Sequence, residues 1–142
     1  MSAHEPRVRI GDVFEGPSKT LTDAHFLFFS GLTGDVHPMH YDVEYARSTP
    51  AGRPTAHGLL LNGLTALGAV RGRERIGRLL FLEQGCKLLQ QVVVGDTVRP
   101  RATLERDWEE NGVRYYRFRT VLLNQRSETV LEGFHVYRVL DD

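Results

Sequence analysis

The sequence predicts an α+β domain in which an antiparallel β-sheet wraps around one long central α-helix. Residues 57–71 are apolar on almost every side, as expected for a helix that is buried on most of its faces. From residue 79 onward the pattern changes to strands separated by turns. A sheet folded around the helix is the simplest arrangement that covers it. All residues, 1–142, are expected to form a single domain.

The first part of the chain predicts a tail, a short strand and a helix. Residues 1–7 are expected to be a loose tail, and residues 8–14 contain a turn followed by the start of a strand. Thr22 is a suitable N-cap for the apolar helix that follows, and Gly34 suits the left-handed position at which a helix ends. The segment between them is apolar enough to be a largely buried helix.

Loops and a short helix connect this segment to the long apolar helix. The loop Asp35–His40 is stiffened by a proline, and stiffness suits a loop that positions reacting groups. A short helix over residues 43–47 is expected after Asp42, which is a good cap. Residues 48–55 contain two prolines and a glycine, so they are expected to form a loop that helps to shape a pocket. The long helix is expected to end near Gly72.

The C-terminal half predicts four antiparallel strands. They cover residues 79–91, 98–108, 113–123 and 129–140. The pair Asn111-Gly112 between the second and third of these is the strongest short hairpin signal. The strands therefore follow one another as a meander.

One face of the predicted sheet is expected to be exposed to solvent, and this bears on the oligomeric state. Arg117 and Arg119 alternate with apolar and aromatic residues, so the face that carries them is expected to meet water. Such a sheet covers only one side of the helix. A second copy of the chain would complete the cover, and the sequence therefore predicts a homodimer or a larger even oligomer.

Composition limits the partners and the compartment. The chain carries 18 basic and 18 acidic side chains, a balance that argues against nucleic-acid binding. Cys86 is the only cysteine, which excludes an internal disulfide and favours a reducing compartment. The first residues lack the apolar stretch of a signal peptide, and no apolar run approaches the ~20 residues that span a bilayer. A cytoplasmic protein without membrane partners is expected.

Two segments carry the candidate chemistry. The 35–40 loop supplies a carboxylate, Asp35, and an imidazole, His40, and the pair His57-Gly58 opens the long helix. An acid/base pair beside a helix start can move protons near a carbonyl oxygen. Taken singly, Asp35 could be a turn residue and His40 a packed core residue. Their joint spacing favours a functional site.

The neighbouring polar residues have structural explanations as well. His37, His40 and His57 could be metal ligands, but the first two lie on a proline loop and no closed ligand set is evident, so no metal is expected. His57 is more readily explained by a bond to the Asp35 loop or to the helix start. Asn62 is expected to be a satisfied interior polar group, although it lies close enough to Gly58 in sequence to face a ligand.

The motif residues resemble a known family. Residues 29–42, then Ala46, then His57-Gly58 are similar to the MaoC-type dehydratases, the hydratase-2 branch of the hotdog-fold superfamily. The family pattern has an aromatic, a small residue, Gly-Asp, any residue, Asn-Pro, any residue, His, and an Ala or Ser six positions later. Asp35, Pro38, His40 and Ala46 fall on their places. One position departs, because His37 stands where the family has Asn, and imidazole titrates where Asn does not.

The resemblance implies a hotdog fold and reversible addition of water to a 2-enoyl thioester, usually of coenzyme A. The product is a 3-hydroxyacyl thioester, commonly of R configuration. Carried over by position, Asp35 and His40 activate the water, and the Gly58 backbone N–H binds the thioester oxygen. His57, His37 and Asn62 are the further candidates for contacts with the substrate. The chemistry needs an acid, a base and an oxyanion donor, and no metal or redox cofactor is expected.

Two alternatives remain open at this point. A hotdog thioesterase would use a carboxylate-held water to cleave the thioester and release free thiol. A non-catalytic acyl-thioester binding module would keep the pocket and the helix start without needing both Asp35 and His40. The spacing of these two residues and their joint presence favour the hydratase.

Overall fold

The computed structural model describes residues 7–140, so residues 1–6 of the predicted tail lie outside the described part of the chain. Two short strands followed by helices occupy the first half, and four long strands occupy the second. The helices are α1 (Asp23–Thr33), α2 (Val43–Arg47), α3 (Gly58–Gly63) and α4 (Arg73–Ile76), with 3-10 turns at Pro38–His40 and Leu67–Ala69. The strands are β1 (Val13–Glu15), β2 (Lys19–Thr20), β3 (Arg78–Leu88), β4 (Thr97–Glu110), β5 (Val113–Leu123) and β6 (Thr129–Leu140).

The sheet is antiparallel and follows the order β1-β4-β5-β6-β3, with β2 paired to β4 beside β1. The predicted hairpin joins β4 to β5, and Asn111 and Gly112 both have positive φ angles, 52° and 76°, as a two-residue hairpin turn requires. The last strand returns to pair with β3 over nearly its whole length. This order leaves β3 at one edge of the sheet.

The inner face of the sheet is filled by two apolar clusters. One gathers Phe14, Leu104 and Phe118 near the β1 edge. The other lies under α3, where Leu61 packs with residues of β5 and β6 such as Leu122 and Leu131. Together they explain why α3 is held against the concave face of the sheet, with its first residue directed toward the 35–40 loop.

Helix α1 has the predicted ends but not the predicted burial. It begins after Thr22, whose N–H donates to Nδ1 of His25 (2.9 Å), and it ends at Gly34 with a φ of 80°. The prediction of a largely buried helix is wrong for the single chain, because Phe28 and Leu32 are 74% and 72% exposed. Only one face of α1 meets the rest of the chain, and its remaining apolar side chains face outward.

The predicted long helix over residues 57–71 is also wrong. The regular helix stops at Gly63, a residue with poor helix propensity, after six residues. The hydroxyl of Thr65 donates to the backbone oxygen of Asn62 (2.6 Å), and Ala66 is extended with a ψ of 143°. The apolar run is therefore a short helix followed by an irregular segment. None of the helices in the described part of the chain has the length and apolar character that crossing a membrane would require.

Candidate active site

The 35–40 loop is held at both ends by local geometry. It starts after the left-handed Gly34 and closes into the 3-10 turn Pro38–His40, with the proline at the first position of the turn. Nδ1 of His37 accepts the N–H of Met39 (3.2 Å), so the imidazole caps the turn. The loop thereby reaches His40 with a fixed backbone. Helix α2 follows at once, capped by Asp42, whose Oδ1 accepts the N–H of Tyr45 (3.1 Å).

The hydrogen bond between His40 and Thr55 determines the tautomer of His40. Its Nδ1 lies 2.7 Å from the backbone oxygen of Thr55. A carbonyl oxygen only accepts hydrogen bonds, so Nδ1 carries the proton and Nε2 of the neutral ring presents a lone pair. The N–H of Thr55 donates to the backbone oxygen of Met39 (3.1 Å), which ties the two segments together. His40 is thus a buried imidazole whose free nitrogen can accept a proton.

His57 joins the 35–40 loop to α1 and α3. It precedes the first residue of α3 and is only 1% exposed. Its Nε2 lies 3.1 Å from the backbone oxygen of Asp35 and 2.9 Å from Oγ of Ser30. Burial, and next the charge of a protonated His40, lower the pKa of His57, while its contacts with Asp35 act in the opposite sense. The ring is therefore a neutral brace for the loop.

The rings of His40 and His57 stack with their centroids 3.6 Å apart and their planes at 19°. Asp35, His40 and His57 each have one potential metal-ligand atom within 4.8 Å of the other two, so the cluster could be considered for a metal ion. Imidazole binds metals through lone pairs in the ring plane, and one ion cannot lie in two stacked planes at once. The arrangement suits proton transfer better than metal binding.

Asp35 completes the cluster from the solvent side. Its backbone N–H donates to Oγ1 of Thr33 (3.2 Å), and its side chain is exposed. A spacing of up to 4.8 Å between the carboxylate and a histidine nitrogen leaves room for one bridging water. A water held in this way would have a proton acceptor on one side and a carboxylate on the other.

Gly58 places a bare backbone donor beside the cluster. As the first residue of α3 it has no acceptor for its N–H within the helix. A Cβ atom at this position would lie 2.6 Å from Cδ1 of Leu88, so glycine is what allows this strand residue to approach. A cavity of about 240 Å³ is lined by residues that include Leu88, Met39, which precedes His40, and Thr55, whose backbone oxygen bonds His40.

Asn62 is satisfied on one side only. Its Nδ2 donates to Oε1 of Gln84 (2.8 Å), but its Oδ1 is buried without a partner among the described residues. The expectation of a fully satisfied interior amide is therefore wrong for the oxygen. Asn62 follows Gly58 by four residues, and side chains at this spacing lie on one helix face. The amide consequently lies one turn beyond the bare N–H.

The structure thus brings Asp35, His40 and His57 together and places Gly58 beside them. His37 lies at the margin, with its ring centroid 6.3 Å from that of His40. Sequence reasoning missed Ser30, although it stands inside the motif and shares a helix face with the buried Phe26, four residues earlier. It also missed the role of Thr55, because a backbone oxygen leaves no signal in residue type.

A second buried polar network was missed as well. His135 of β6 contacts Oγ1 of Thr65 through Nε2 (3.1 Å) and the hydroxyl of Tyr137 through Nδ1 (3.0 Å). Burial lowers the pKa of His135 to about 4 and raises the pKa of Tyr137 to about 12. In the sequence His135 stands alone and carries no motif. The network lies in the core, separate from the Asp35 cluster.

Comparisons with known proteins agree with this geometry. A family model described as the MaoC like domain matches residues 7–124. An (R)-specific enoyl-CoA hydratase from Rhodospirillum rubrum is 33% identical over 98 residues, which cover 66% of this chain and 67% of that protein. An (R)-specific enoyl-CoA hydratase from Aeromonas caviae is 33% identical over 82 residues, covering 57% of this chain and 60% of that protein.

The fold is shared with a solved structure over nearly its full length. The monoamine oxidase regulatory protein from Archaeoglobus fulgius superposes with a TM-score of 0.82 and 26% identity, covering 94% of this chain and 93% of that one. The predicted α+β hotdog architecture is therefore confirmed, with a shorter central helix than expected.

Proposed function

Because the chain belongs to the MaoC like domain family, we propose that it is an enoyl-CoA hydratase, a hydro-lyase that reversibly adds water to a 2-enoyl-CoA to give a 3-hydroxyacyl-CoA. The observation that carries the proposal is the His40 tautomer beside Asp35. This reaction needs a proton acceptor, a carboxylate and an oxyanion donor. The site offers the lone pair at Nε2 of His40, the Asp35 carboxylate within 4.8 Å and the backbone N–H at the start of α3. The names of the two hydratase relatives support the same reaction.

The water is held between the Asp35 carboxylate and Nε2 of His40. As its oxygen bonds to C3 of the enoyl group, one proton passes to this acid/base pair, and the electrons of the double bond move toward the thioester oxygen. The pair then delivers a proton to C2, which restores its starting charge. Acid/base groups of this kind contribute roughly 10²–10⁴-fold each. Hydration and dehydration use the same steps in opposite order.

The backbone N–H of Gly58 receives the negative charge that develops on the thioester oxygen. A side chain at this position would displace the end of the Leu88 side chain, so glycine lets Leu88 pack against the start of α3. A single well-placed oxyanion donor is worth about 10²–10³ in rate. Every step is assigned to groups of the chain itself, so the proposal includes no resident metal or redox cofactor.

The direct test follows crotonyl-CoA with purified protein. Loss of the conjugated enoyl absorbance without release of free thiol is expected. Asp35→Asn and His40→Ala should each lower kcat by roughly 10²–10⁴-fold. Glu44→Gln removes an exposed carboxylate from α2 and is the matched control, with an expected rate near that of the wild type.

Two other outcomes would replace the proposal. Release of free thiol would identify a thioesterase. If neither the enoyl absorbance nor the free thiol changes, and Asp35→Asn leaves thioester binding unchanged, the protein is a binding module.

We further propose that the enzyme is a homodimer formed through β3. This strand lies at the sheet edge, and its large side chains Leu80, Phe81, Leu82 and Leu88 are each about half exposed. A long apolar edge strand is a liability unless another strand pairs with it. Antiparallel pairing with the same strand of a second copy satisfies this edge on both chains at once. The single cysteine, Cys86, favours a reducing compartment, and we assign the reaction to the cytoplasm.

A further inference from the structure

The carboxylate of Asp35 is positioned by the backbone of this residue, because no hydrogen bond from the described part of the chain reaches its oxygens. Two hydrogen bonds to described residues hold that backbone. The N–H of Asp35 donates to Oγ1 of Thr33 (3.2 Å), and its carbonyl oxygen lies 3.1 Å from Nε2 of His57, 22 residues later in the chain. The contact with His57 is therefore the one that ties Asp35 to a distant segment.

The hydrogen bond between His57 and Asp35 determines the tautomer of His57. A carbonyl oxygen only accepts, so Nε2 carries the proton of the neutral ring and Nδ1 has the lone pair. Nδ1 is buried and has no partner among the described residues. The hydrogen bonds that orient the ring within this part of the chain are consequently all made at Nε2.

Ser30 is the second acceptor of the same N–H. Its Oγ lies 2.9 Å from Nε2 of His57, nearer than the carbonyl oxygen of Asp35. Sharing of one N–H between two acceptors is common in proteins. The direction of the N–H bond is therefore a balance between the two oxygens, and Ser30 limits how closely the ring approaches Asp35.

The place of Ser30 is fixed by helix α1. Ser30 is 4% exposed and follows the fully buried Phe26 by one helical turn, so both side chains point toward the core. Its backbone oxygen accepts the N–H of Gly34 (2.8 Å), the residue that ends the helix directly before Asp35. Ser30 thereby locates the ring of His57 relative to a packed helix and not only relative to the 35–40 loop.

We propose that Ser30 is a positioning residue that acts through His57 to set the place of the Asp35 carboxylate relative to Nε2 of His40. This inference rests on the proposed hydratase function, in which these two groups hold the reacting water. A displacement of about 1 Å can lower a rate roughly 10²-fold. Ser30 contacts neither the water nor the thioester in this arrangement, so its loss changes the reaction step and leaves substrate binding as it was.

The kinetics of Ser30→Ala with crotonyl-CoA give the first test. We expect kcat to fall about tenfold, as for the loss of one buried hydrogen bond, while KM stays at the wild-type value. Thr120→Val is the matched control, because it removes a hydroxyl that is 1% exposed and has no partner among the described residues. An unchanged kcat for Ser30→Ala, or an equal fall for Thr120→Val, would overturn the proposal.

A double-mutant cycle shows whether Ser30 acts through His57. The variant His57→Phe keeps a ring beside His40 and removes both ring nitrogens. A residue that acts only through His57 has nothing to act on in this background, so adding Ser30→Ala should change kcat by less than about twofold. A further tenfold loss in the double variant would make Ser30 independent of His57 and overturn the proposal.

Carbon-13 NMR of the Asp35 carbonyl tests the geometry without turnover. In Ser30→Ala, Asp35 is the remaining acceptor of the His57 N–H, so the hydrogen bond strengthens and the carbonyl resonance should move downfield. Thr120→Val should leave it in place. An unmoved or upfield resonance in Ser30→Ala would overturn the proposal.

The NMR result also separates this inference from the proposed function. A wild type that does not hydrate crotonyl-CoA, together with the downfield shift in Ser30→Ala, would refute the hydratase and leave standing the control of the Asp35 backbone by Ser30. Hydration by the wild type with an unmoved resonance in the variant would refute the role of Ser30 alone.

Discussion

At the scale of single residues, the site combines a motif that can be seen in the sequence with contacts that cannot. Asp35 and His40 stand at family positions, and their proximity follows from the local loop. The stack of His57 on His40 and the bond from His40 to the oxygen of Thr55 join segments about fifteen residues apart. No residue type records such a contact, so the tautomer of His40 could not be predicted from the sequence.

His37 gives the site a pH response that the family's Asn would lack. Its Nδ1 accepts the N–H of Met39 only while the ring is neutral, because a protonated Nδ1 donates. A proton on the ring therefore removes the cap. The groups around the ring are His40, Tyr45 and, two residues earlier, Asp35.

His37→Asn should therefore keep the cap and weaken the acid limb of the kcat/KM profile. As the pH falls, the wild type should lose more activity than this variant, while His37→Ala should be less active at every pH. The profiles are measured with crotonyl-CoA. Identical acid limbs for the wild type and His37→Asn would refute this role.

His135 makes the stability of the protein depend on pH. Burial lowers its pKa to about 4, below the value of 6.5 in an unfolded chain. The unfolded state therefore binds more protons between these values, so stability is complete above pH 6.5 and falls as the pH drops toward 4. The loss should reach about 3 kcal/mol at most. Urea unfolding at pH 7, 5.5 and 4 measures it.

Replacement of His135 by Gln should flatten this pH dependence, at the expense of lower stability at pH 7. The exposed Lys19 of β2 is the control, since Lys19→Gln should leave the slope between pH 7 and pH 4 unchanged. A steep slope that survives in His135→Gln would assign the effect to another group.

At the scale of elements, the predictions based on local chemistry succeeded, while the two based on apolar composition, the long helix and the buried α1, failed. The ends of α1 at Thr22 and Gly34 and the hairpin at Asn111-Gly112 follow from residues that act on their own backbone. The apolar run after His57 has the composition of a long helix, yet it stops at Gly63. The bond between Thr65 and His135 comes from a strand 70 residues away, and sequence pattern cannot reveal it.

Two buried threonines offer a matched test of the hydrogen bond between Thr65 and His135. Thr65 and Thr120 are each 1% exposed, but Thr65 bonds both Asn62 and His135, whereas the hydroxyl of Thr120 has no partner among the described residues. Thr65→Val should lower the free energy of unfolding by about 1–3 kcal/mol, because it leaves buried polar groups unpaired. Thr120→Val should be neutral or stabilising. Urea unfolding distinguishes them, and equal losses would contradict the assigned role.

At the scale of the whole molecule, the exposed apolar side chains of the edge strand β3 support the proposal that a second copy covers this edge. The sequence predicted a second copy from the one-sided cover of the helix, and β3 is the surface that we propose for it. We expect the wild type to sediment as a dimer. Leu80→Lys/Leu82→Lys should sediment as a monomer with little hydratase activity, because charged residues block edge pairing.

Val13→Lys is the control for this assembly. Val13 is an exposed apolar residue of β1, at the opposite edge of the sheet, and its variant should remain a dimer. Analytical ultracentrifugation over a range of concentrations gives the answer. A monomeric wild type, or dissociation caused by Val13→Lys, would refute pairing through β3.

The stack of His40 on His57 also limits how much charge the centre can carry. With centroids 3.6 Å apart, a proton on either ring disfavours a proton on the other. The two imidazoles therefore behave as a single proton acceptor that takes up one proton. A second proton on the pair is disfavoured, so each turnover must return its proton before the next can begin.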